Sequence, residues 1–168
     1  MKRALILVTA ILTLLSPNMV FAFQNEPDGF RGLKWGDPPT EDMMLFEAKE
    51  NKRYYTLPNE KLSLGNVNLS SIVYAFYDQP ERLMVVSLYF KGTDNYDLMT
   101  DICGKKFGTE NVDVGILKLT WWGEITTINL EYNLAIEGGV LMLISTTLWT
   151  EYTEAQKKEQ AEKAEEDW

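Results

Sequence analysis

Residues 71–91 read SIVYAFYDQPERLMVVSLYFK, and the rest of the chain can be arranged around this stretch. Apolar side chains alternate on both sides of a turn at Gln79, Pro80, Glu81 and Arg82, a pattern typical of a β-hairpin. Proline suits the second turn position because its ring fixes φ where no ladder donor is needed. One predicted face is apolar and needs a cover; it carries Ile72, Tyr74, Phe76, Met84, Val86, Leu88 and Phe90. The other face mixes Ala75, Tyr77, Ser87 and Tyr89, so we expect it to be partly exposed to solvent.

The first 22 residues have the pattern of a secretory signal peptide. Lys2 and Arg3 precede an apolar run over residues 4–15, and small residues lead to an exit at Ala22. The run is short for a bilayer span, and no cysteine stands at the exit to carry a lipid anchor. The pattern predicts cleavage near Ala22, a mature chain from Phe23, and a periplasmic or secreted protein.

The composition sets limits on the partners of the mature chain. Removing residues 1–22 takes away two of the 16 basic residues and none of the 25 acidic ones, so 14 minus 25 leaves a net charge of −11. Such a surface disfavours nucleic acids and anionic lipids and favours neutral or cationic partners. Because no long apolar segment follows the leader, we expect no membrane span in the mature chain.

The absence of histidine removes several classes of active site. Ser-His-Asp and Cys-His catalysis and histidine-bearing zinc sites are excluded, and no other metal, cofactor or catalytic motif stands out. The lone Cys103 cannot form an intramolecular disulfide. It is a buried thiol, an intermolecular bridge or a reactive site, and its helical spacing from Tyr96, Met99 and Phe107 favours burial.

The chain on either side of the hairpin shows further elements. A short strand is predicted around Leu33 and Trp35, and a helix over residues 37–46, where Asp37 provides a cap and prolines fill the first turn. Strands are predicted at residues 52–57, 62–69, 116–122, 126–132 and 140–149. A second helix is predicted over residues 95–107, ended by Gly108.

The two halves of the chain match at a constant offset of 56 positions, which places Ile72 on Ile128 and Glu81 on Glu137. The pattern indicates tandem α-β-β-β units at residues 37–91 and 93–149, although unrelated amphipathic units would give the same match. The predicted fold class is α+β, a single domain over residues 23–149 with an antiparallel sheet and two short helices on one face. Residues 150–168 predict a polar, charged C-terminal helix or tail that touches the domain through Tyr152, Ala155 and Gln156.

The motif F-R-G-x-x-W-G, from Phe30 to Gly36, carries a resemblance. It resembles the opening of small exported bacterial proteins of uncharacterised function. The order of strand, glycine and short helix is also similar to that of the BamE/SmpA outer-membrane assembly lipoproteins. That family has a lipidated cysteine near the start of its mature chain, which this chain lacks, so the likeness concerns architecture and implies no functional residue.

The open sheet face is where we expect function. Its predicted members are Tyr77, Tyr89, Leu141, Leu143 and, depending on strand register, Trp121 or Trp122, while Trp168 ends the charged tail. Exposed aromatic rings can anchor a protein or stack on a sugar, although the same rings also serve as ordinary cross-strand pairs. The leading hypothesis is a non-enzymatic interaction or accessory module with an envelope protein partner, and the alternative is a glycan or small-ligand site. A third hypothesis is an enzyme that uses the carboxylates of Asp94, Asp97 and Asp101, which instead read as exposed residues near a helix start.

Overall fold

The structure is a computed structural model that describes residues 23–77, 80–110, 112–115 and 117–166. The predicted leader, residues 1–22, and the terminal Trp168 lie outside these described residues. The elements below are numbered in chain order.

The described part of the chain consists of two runs of strands, each followed by one helix. The strands are β1 (Gly29–Phe30), β2 (Leu33–Lys34), β3 (Met44–Lys49), β4 (Lys52–Thr56), β5 (Ser63–Leu64), β6 (Val67–Tyr77), β7 (Arg82–Lys91), β8 (Val112–Gly115), β9 (Lys118–Trp121), β10 (Thr126–Asn133) and β11 (Gly138–Ser145). The helices are α1 (Thr93–Phe107) and α2 (Thr146–Glu166). The order is therefore strands followed by α1, then strands followed by α2.

In the described chain, two four-stranded meanders form the main sheet and meet at their last strands. The spatial order is β3-β4-β6-β7-β11-β10-β9-β8, with antiparallel pairing throughout, and β5 pairs with the start of β6. At the junction, β7 and β11 pair from Gly138↔Lys91 to Ile144↔Val85. The sheet is thus continuous, and each meander has its helix after its last strand.

The predicted α+β fold class with tandem α-β-β-β units is wrong. The described chain is mostly antiparallel sheet, and the helix predicted over residues 37–46 does not form. The carboxylate of Asp37 accepts a hydrogen bond from the Lys34 N–H at 2.8 Å, and its carbonyl accepts one from the Leu83 N–H at 2.8 Å, so it caps a turn. Residues 44–49 instead pair with β4 across a two-residue turn. Most residues of β3 are good helix formers, so the cross-strand pairing with β4 overrides local propensity.

One face of the sheet, called here the first face, carries the main core. It is covered by α1, whose buried side chains are Tyr96, Met99, Cys103 and Phe107. The sheet contributes Val67, Leu69, Ile72, Tyr74, Phe76, Leu83, Val86, Leu88, Phe90, Leu119, Trp121, Ile128, Leu130, Tyr132, Leu141 and Leu143. The helix predicted over residues 95–107 is confirmed as α1, which begins two residues earlier, at Thr93. The thiol of Cys103 is buried as expected.

A β-bulge at Met84 decides which residues share a face. Ala75 pairs with Val85 and Phe76 with Leu83, so Met84 is an extra residue and joins the opposite, second face. The described β10–β11 ladder runs from Thr126↔Ser145 to Asn133↔Gly138 without such a shift. The offset of 56 positions, which was used to match β7 with β11, is therefore wrong by one residue for the part of β11 that corresponds to β7 after the bulge. The prediction that Leu141 and Leu143 lie on the open face is wrong for this reason, and both are in the main core.

The second face is covered in part by α2. Leu148 and Tyr152 pack on Ala75, Met84, Val85 and Ile144. The helix begins at Thr146, four residues before the expected start, where the Ser145 hydroxyl accepts a hydrogen bond from the Leu148 N–H at 3.4 Å. Ala155 and Gln156 are half-buried, and residues 157–165 are exposed. Neither described helix combines the length and the apolar character needed to cross a bilayer.

Candidate functional site: a groove on the second face

A groove with a volume of about 570 Å³ lies on the second face beside α2. Its floor is formed by β6 and β7, one wall by the β3–β4 hairpin and the other by the first turn of α2. We call it the aromatic groove, and it is lined by Phe46, Glu47, Lys49, Lys52, Tyr54, Val73, Ala75, Met84, Val85, Ser87, Tyr89 and Trp149. The floor is mostly apolar, and the walls carry aromatic and charged side chains.

Three aromatic side chains of the aromatic groove are accessible to a partner. Phe46 is 55% exposed, and Tyr89 and Trp149 are each 41% exposed. Tyr54 lies beside Phe46, with ring centroids 6.3 Å apart. Large apolar residues at this exposure on three separate elements are expected to bury substantial area when a ligand or protein segment binds.

Contacts between the hairpin and α2 hold the walls in place. The Lys52 ammonium lies over the Tyr152 ring, 4.6 Å from its centroid, and the Tyr152 hydroxyl donates a hydrogen bond to the Glu50 carboxylate at 3.5 Å. Trp149 also contacts Tyr152, with ring centroids 5.7 Å apart. The groove is therefore preformed, because the same tyrosine contacts both walls.

Strand β3 forms the outer wall and is an edge strand of the sheet. In the described part of the chain its pairing partner is β4, and all six of its residues are exposed. The ladder shifts between Leu45↔Tyr55 and Glu47↔Tyr54, so Phe46 is a bulge residue whose side chain joins the groove. The side of β3 away from β4 is called the open edge below.

The structure brings one of the predicted binding residues, Tyr89, into the aromatic groove. Tyr77 is half-buried under α2, 5.8 Å from the Tyr152 ring, and its ring also contacts the Arg82 guanidinium at 5.4 Å. Trp121 is fully buried and its indole N–H donates to the Gly108 carbonyl at 3.0 Å, so its assignment to the surface is corrected. Trp122 is 53% exposed but follows β9, outside the groove.

Sequence reasoning missed Phe46, Tyr54 and Trp149. Phe46 was assigned to a helix that does not form, and Trp149 to the end of a strand. A signal for Trp149 was present in the spacing of Leu148 and Tyr152, which are four residues apart and share the inner face of α2. No local signal indicates that residues 44–49 reach an edge of the sheet.

The carboxylates proposed for an enzyme do not form a site. Asp94, Asp97 and Asp101 are exposed on the outer side of α1. Among the described residues, no group of three or more histidine, cysteine, aspartate or glutamate side chains is placed to hold a metal ion.

A polar cluster under the first face is built around Glu60. The Glu60 carboxylate accepts hydrogen bonds from the Tyr74 hydroxyl at 2.5 Å and from the Arg31 guanidinium at 2.7 Å, and its side chain is 6% exposed. Burial, followed by the hydrogen bond to Glu60, raises the pKa of the Tyr74 hydroxyl. Arg31 also donates to the carbonyls of Lys61 and Ser63, each at 2.8 Å. Phe30 packs beside Tyr74, so the F-R-G-x-x-W-G segment is a structural clamp on the core.

A larger hollow of about 810 Å³ lies at the turn between β10 and β11. Leu134 and Ile136 of this turn are 68% and 73% exposed, and Tyr89 borders both this hollow and the aromatic groove. Much of its lining is strand ends and glycine backbone. The aromatic groove has exposed aromatic side chains from three elements, β3, β7 and α2, and an adjacent open edge, so it is the better candidate site.

A scan against protein-family models finds no match, and searches of the curated proteins and of the solved structures find none either. The resemblance carried by Phe30 to Gly36 therefore stays a prediction. Function has to be argued from the geometry of the aromatic groove.

Proposed function

We propose that this chain is a non-enzymatic binding module that holds a segment of another envelope protein in the aromatic groove. The observation that carries the proposal is the convergence of Phe46, Tyr89 and Trp149, all exposed, on one groove with an apolar floor. Aromatic residues in the centre of a contact surface provide much of the binding energy in protein interfaces.

The cover of the second face supports this proposal. On the second face α2 buries Ala75, Met84, Val85 and Ile144, whereas the apolar side chains of Val73 and Met142 on the same face are only half-buried. A partner that completes the cover would remove this apolar area from water. The location in the envelope is part of the same proposal and rests on the leader pattern of residues 1–22 and on the acidic composition.

A glycan is the second candidate occupant. Tyr54, Tyr89 and Trp149 line the groove together with Glu47, Lys49, Lys52 and Ser87, and sugars bind where aromatic rings lie next to polar side chains. Four of the floor residues, Val73, Ala75, Met84 and Val85, offer no hydrogen bonds to sugar hydroxyls through their side chains, which favours a protein segment.

The test is in-cell crosslinking of the tagged full chain, followed by affinity capture. We expect one reproducible protein partner with the wild-type chain. The double variant Tyr89→Ala and Trp149→Ala should reduce its recovery at least about tenfold, since each truncated anchor typically weakens binding by about 1–2 kcal/mol. Trp122→Ala is the matched control, because Trp122 is at least as exposed but lies outside the groove.

Equal recovery with the double variant and with the control would place the partner elsewhere and contradict the proposal. If no protein is captured, titration calorimetry with soluble oligosaccharides tests the second candidate. Binding that is lost with Tyr89→Ala would then replace the protein partner by a glycan. Thermal unfolding of each variant establishes that the loss comes from the groove and not from unfolding.

A further inference from the structure

We propose, resting on the function above, that the partner segment binds as an added strand on the open edge of β3, and that it is an extended peptide with basic residues beside its apolar ones. The juxtaposition that carries this inference is an exposed edge strand that is also a wall of the aromatic groove. A peptide on that edge would have main-chain hydrogen bonds along β3 and side chains within reach of the groove.

The exposure of β3 is unusual for an edge strand. Met44, Leu45 and Phe46 are three consecutive large apolar residues, exposed by 58%, 49% and 55%. Edge strands in proteins are commonly protected by charge, bulges, proline or cover, because an exposed apolar edge pairs with other chains. In β3 the bulge at Phe46 and the charged Glu47 and Lys49 follow Met44 and Leu45, which lack such protection. The exposed apolar residues of β3 therefore favour pairing with an added strand.

The hairpin geometry identifies a main-chain group that would contact the added strand. Lys49 and Lys52 close the two-residue turn at Glu50 and Asn51 and are paired directly. In such a hairpin the closing pair is hydrogen-bonded, and hydrogen-bonded pairs alternate with pairs whose N–H and C=O groups point outward. The N–H and C=O of Ala48 therefore point to the open edge.

The charges that flank β3 indicate the chemistry of the partner. Within β3 the charges of Glu47 and Lys49 cancel, while Glu41 and Asp42 precede the strand and Glu50 follows it, so one base minus four acids over residues 41–50 gives −3. A second copy of this chain, paired in either strand direction, would place another segment with a net charge of −3 beside the first. The whole sequence is acidic as well, with a net charge of −9. Like charges across strands are unfavourable, whereas a peptide with lysine or arginine would be attracted.

The direct test uses fluorescein-labelled peptides and fluorescence anisotropy with the full chain. The probe alternates valine and threonine over about six residues and has two lysines at each end, a length that matches a typical strand. One matched probe replaces the lysines by glutamates, and another carries N-methyl groups on alternate residues. We expect the lysine probe to bind at least about tenfold more tightly than either matched probe.

Two substitutions at one position test the strand edge in the protein. Ala48→Pro removes the outward N–H without removing a ladder bond to β4, and Ala48→Ser keeps it. We expect Ala48→Pro to weaken binding of the lysine probe at least about tenfold, and Ala48→Ser to weaken it by less than about twofold. Equal binding by the two Ala48 variants, equal binding of the N-methylated probe, or no binding of the lysine probe overturns the inference.

The same variants separate this inference from the proposed function. If the groove double variant loses the crosslinked partner and Ala48→Pro retains it, the groove binds a partner but strand addition is wrong. If both retain it, the proposed function is itself wrong. Loss with Ala48→Pro and with the groove variant, but not with Ala48→Ser or Trp122→Ala, supports both.

Discussion

The two faces of the one sheet are covered by helices of different character. On the first face, α1 buries Tyr96, Met99, Cys103 and Phe107 along its whole length. On the second face, the described part of α2 buries Leu148 and Tyr152 in its first two turns, and residues 157–165 are exposed. The two helices follow equivalent strands of the two meanders, so the difference comes from their sequences.

This difference shows how one sheet can combine stability with a binding surface. An apolar helix face that matches the length of the sheet closes the first face. A helix that packs through one end leaves the rest of the second face to be covered by something else, and the aromatic groove forms at that boundary.

The largest effect is expected from Met99→Ala on α1. Met99 is fully buried between α1 and the sheet, so its truncation should lower the free energy of unfolding by about 2–5 kcal/mol. Its neighbour Leu98 is 37% exposed, and Leu98→Ala should cost less than about 1 kcal/mol. Urea unfolding of both variants measures the two values. Similar losses would mean that the first face is not the closed one.

A smaller loss is expected from Arg31→Ala, which opens the clamp on Glu60. The carboxylate of Glu60 is nearly buried and would keep only Tyr74 of the two side-chain donors described above, so we expect a loss of about 2 kcal/mol. The control is Lys34→Ala, since Lys34 and Asp28 form an ion pair with side chains 71% and 70% exposed. Such exposed pairs contribute less than about 1 kcal/mol. If both variants unfold at the same urea concentration, the clamp has no structural role.

The buried thiol of Cys103 should make stability depend on alkaline pH. Burial raises its pKa from 9.0 to about 12, so the folded state keeps the proton after an unfolded chain would lose it. The stability that the protonated thiol contributes is fully present below pH 9 and is lost as the pH rises toward 12. The loss at pH 10 amounts to about 1.4 kcal/mol. The wild type should therefore lose about that much more stability than Cys103→Ala between pH 8 and pH 10. Parallel pH profiles, or rapid thiol labelling of the folded chain at pH 8, would show that Cys103 is accessible.

The smallest effect is expected from removing the exposed end of α2. Ending the chain after Gln156 removes residues that are exposed where the structure describes them, so the free energy of unfolding should change by less than about 0.5 kcal/mol. Ending it before Thr146 also removes Leu148 and Tyr152, which should expose the second-face cluster and cause aggregation. Thermal unfolding and size-exclusion chromatography distinguish the two cases. A strong loss with the shorter truncation would mean that the polar end packs on the domain.

Much of the local structure could be predicted because its signals lie within short windows. The alternation in residues 71–77 and 82–91 predicted the central hairpin, and helical spacing with Gly108 predicted α1 and the buried Cys103. The C-terminal helix was also predicted, although its start was not, because Thr146 follows a strand without an intervening turn residue.

Of the predicted binding residues, Tyr89 lies in the candidate site, and Ala75 and Ser87, predicted on the same face, also line it. The bulge at Met84 moves the apolar pattern by one residue, and an error of one residue exchanges the two faces of a strand. That shift placed Leu141 and Leu143 on the wrong face and concealed the positions of Val140 and Met142. The walls of the groove come from β3, β4 and α2, which are distant in sequence from β7.

By itself, the sequence determined that the central hairpin alternates, that residues 95–107 form a helix, and that the chain is acidic and lacks histidine, since these properties depend on neighbouring residues and on composition. Tertiary structure decided that residues 44–49 form an edge strand instead of a helix, that α2 covers part of the second face, and that the aromatic groove forms between them. These outcomes depend on pairing between segments far apart in the chain, where the energy of packing exceeds the local preference of the residues involved.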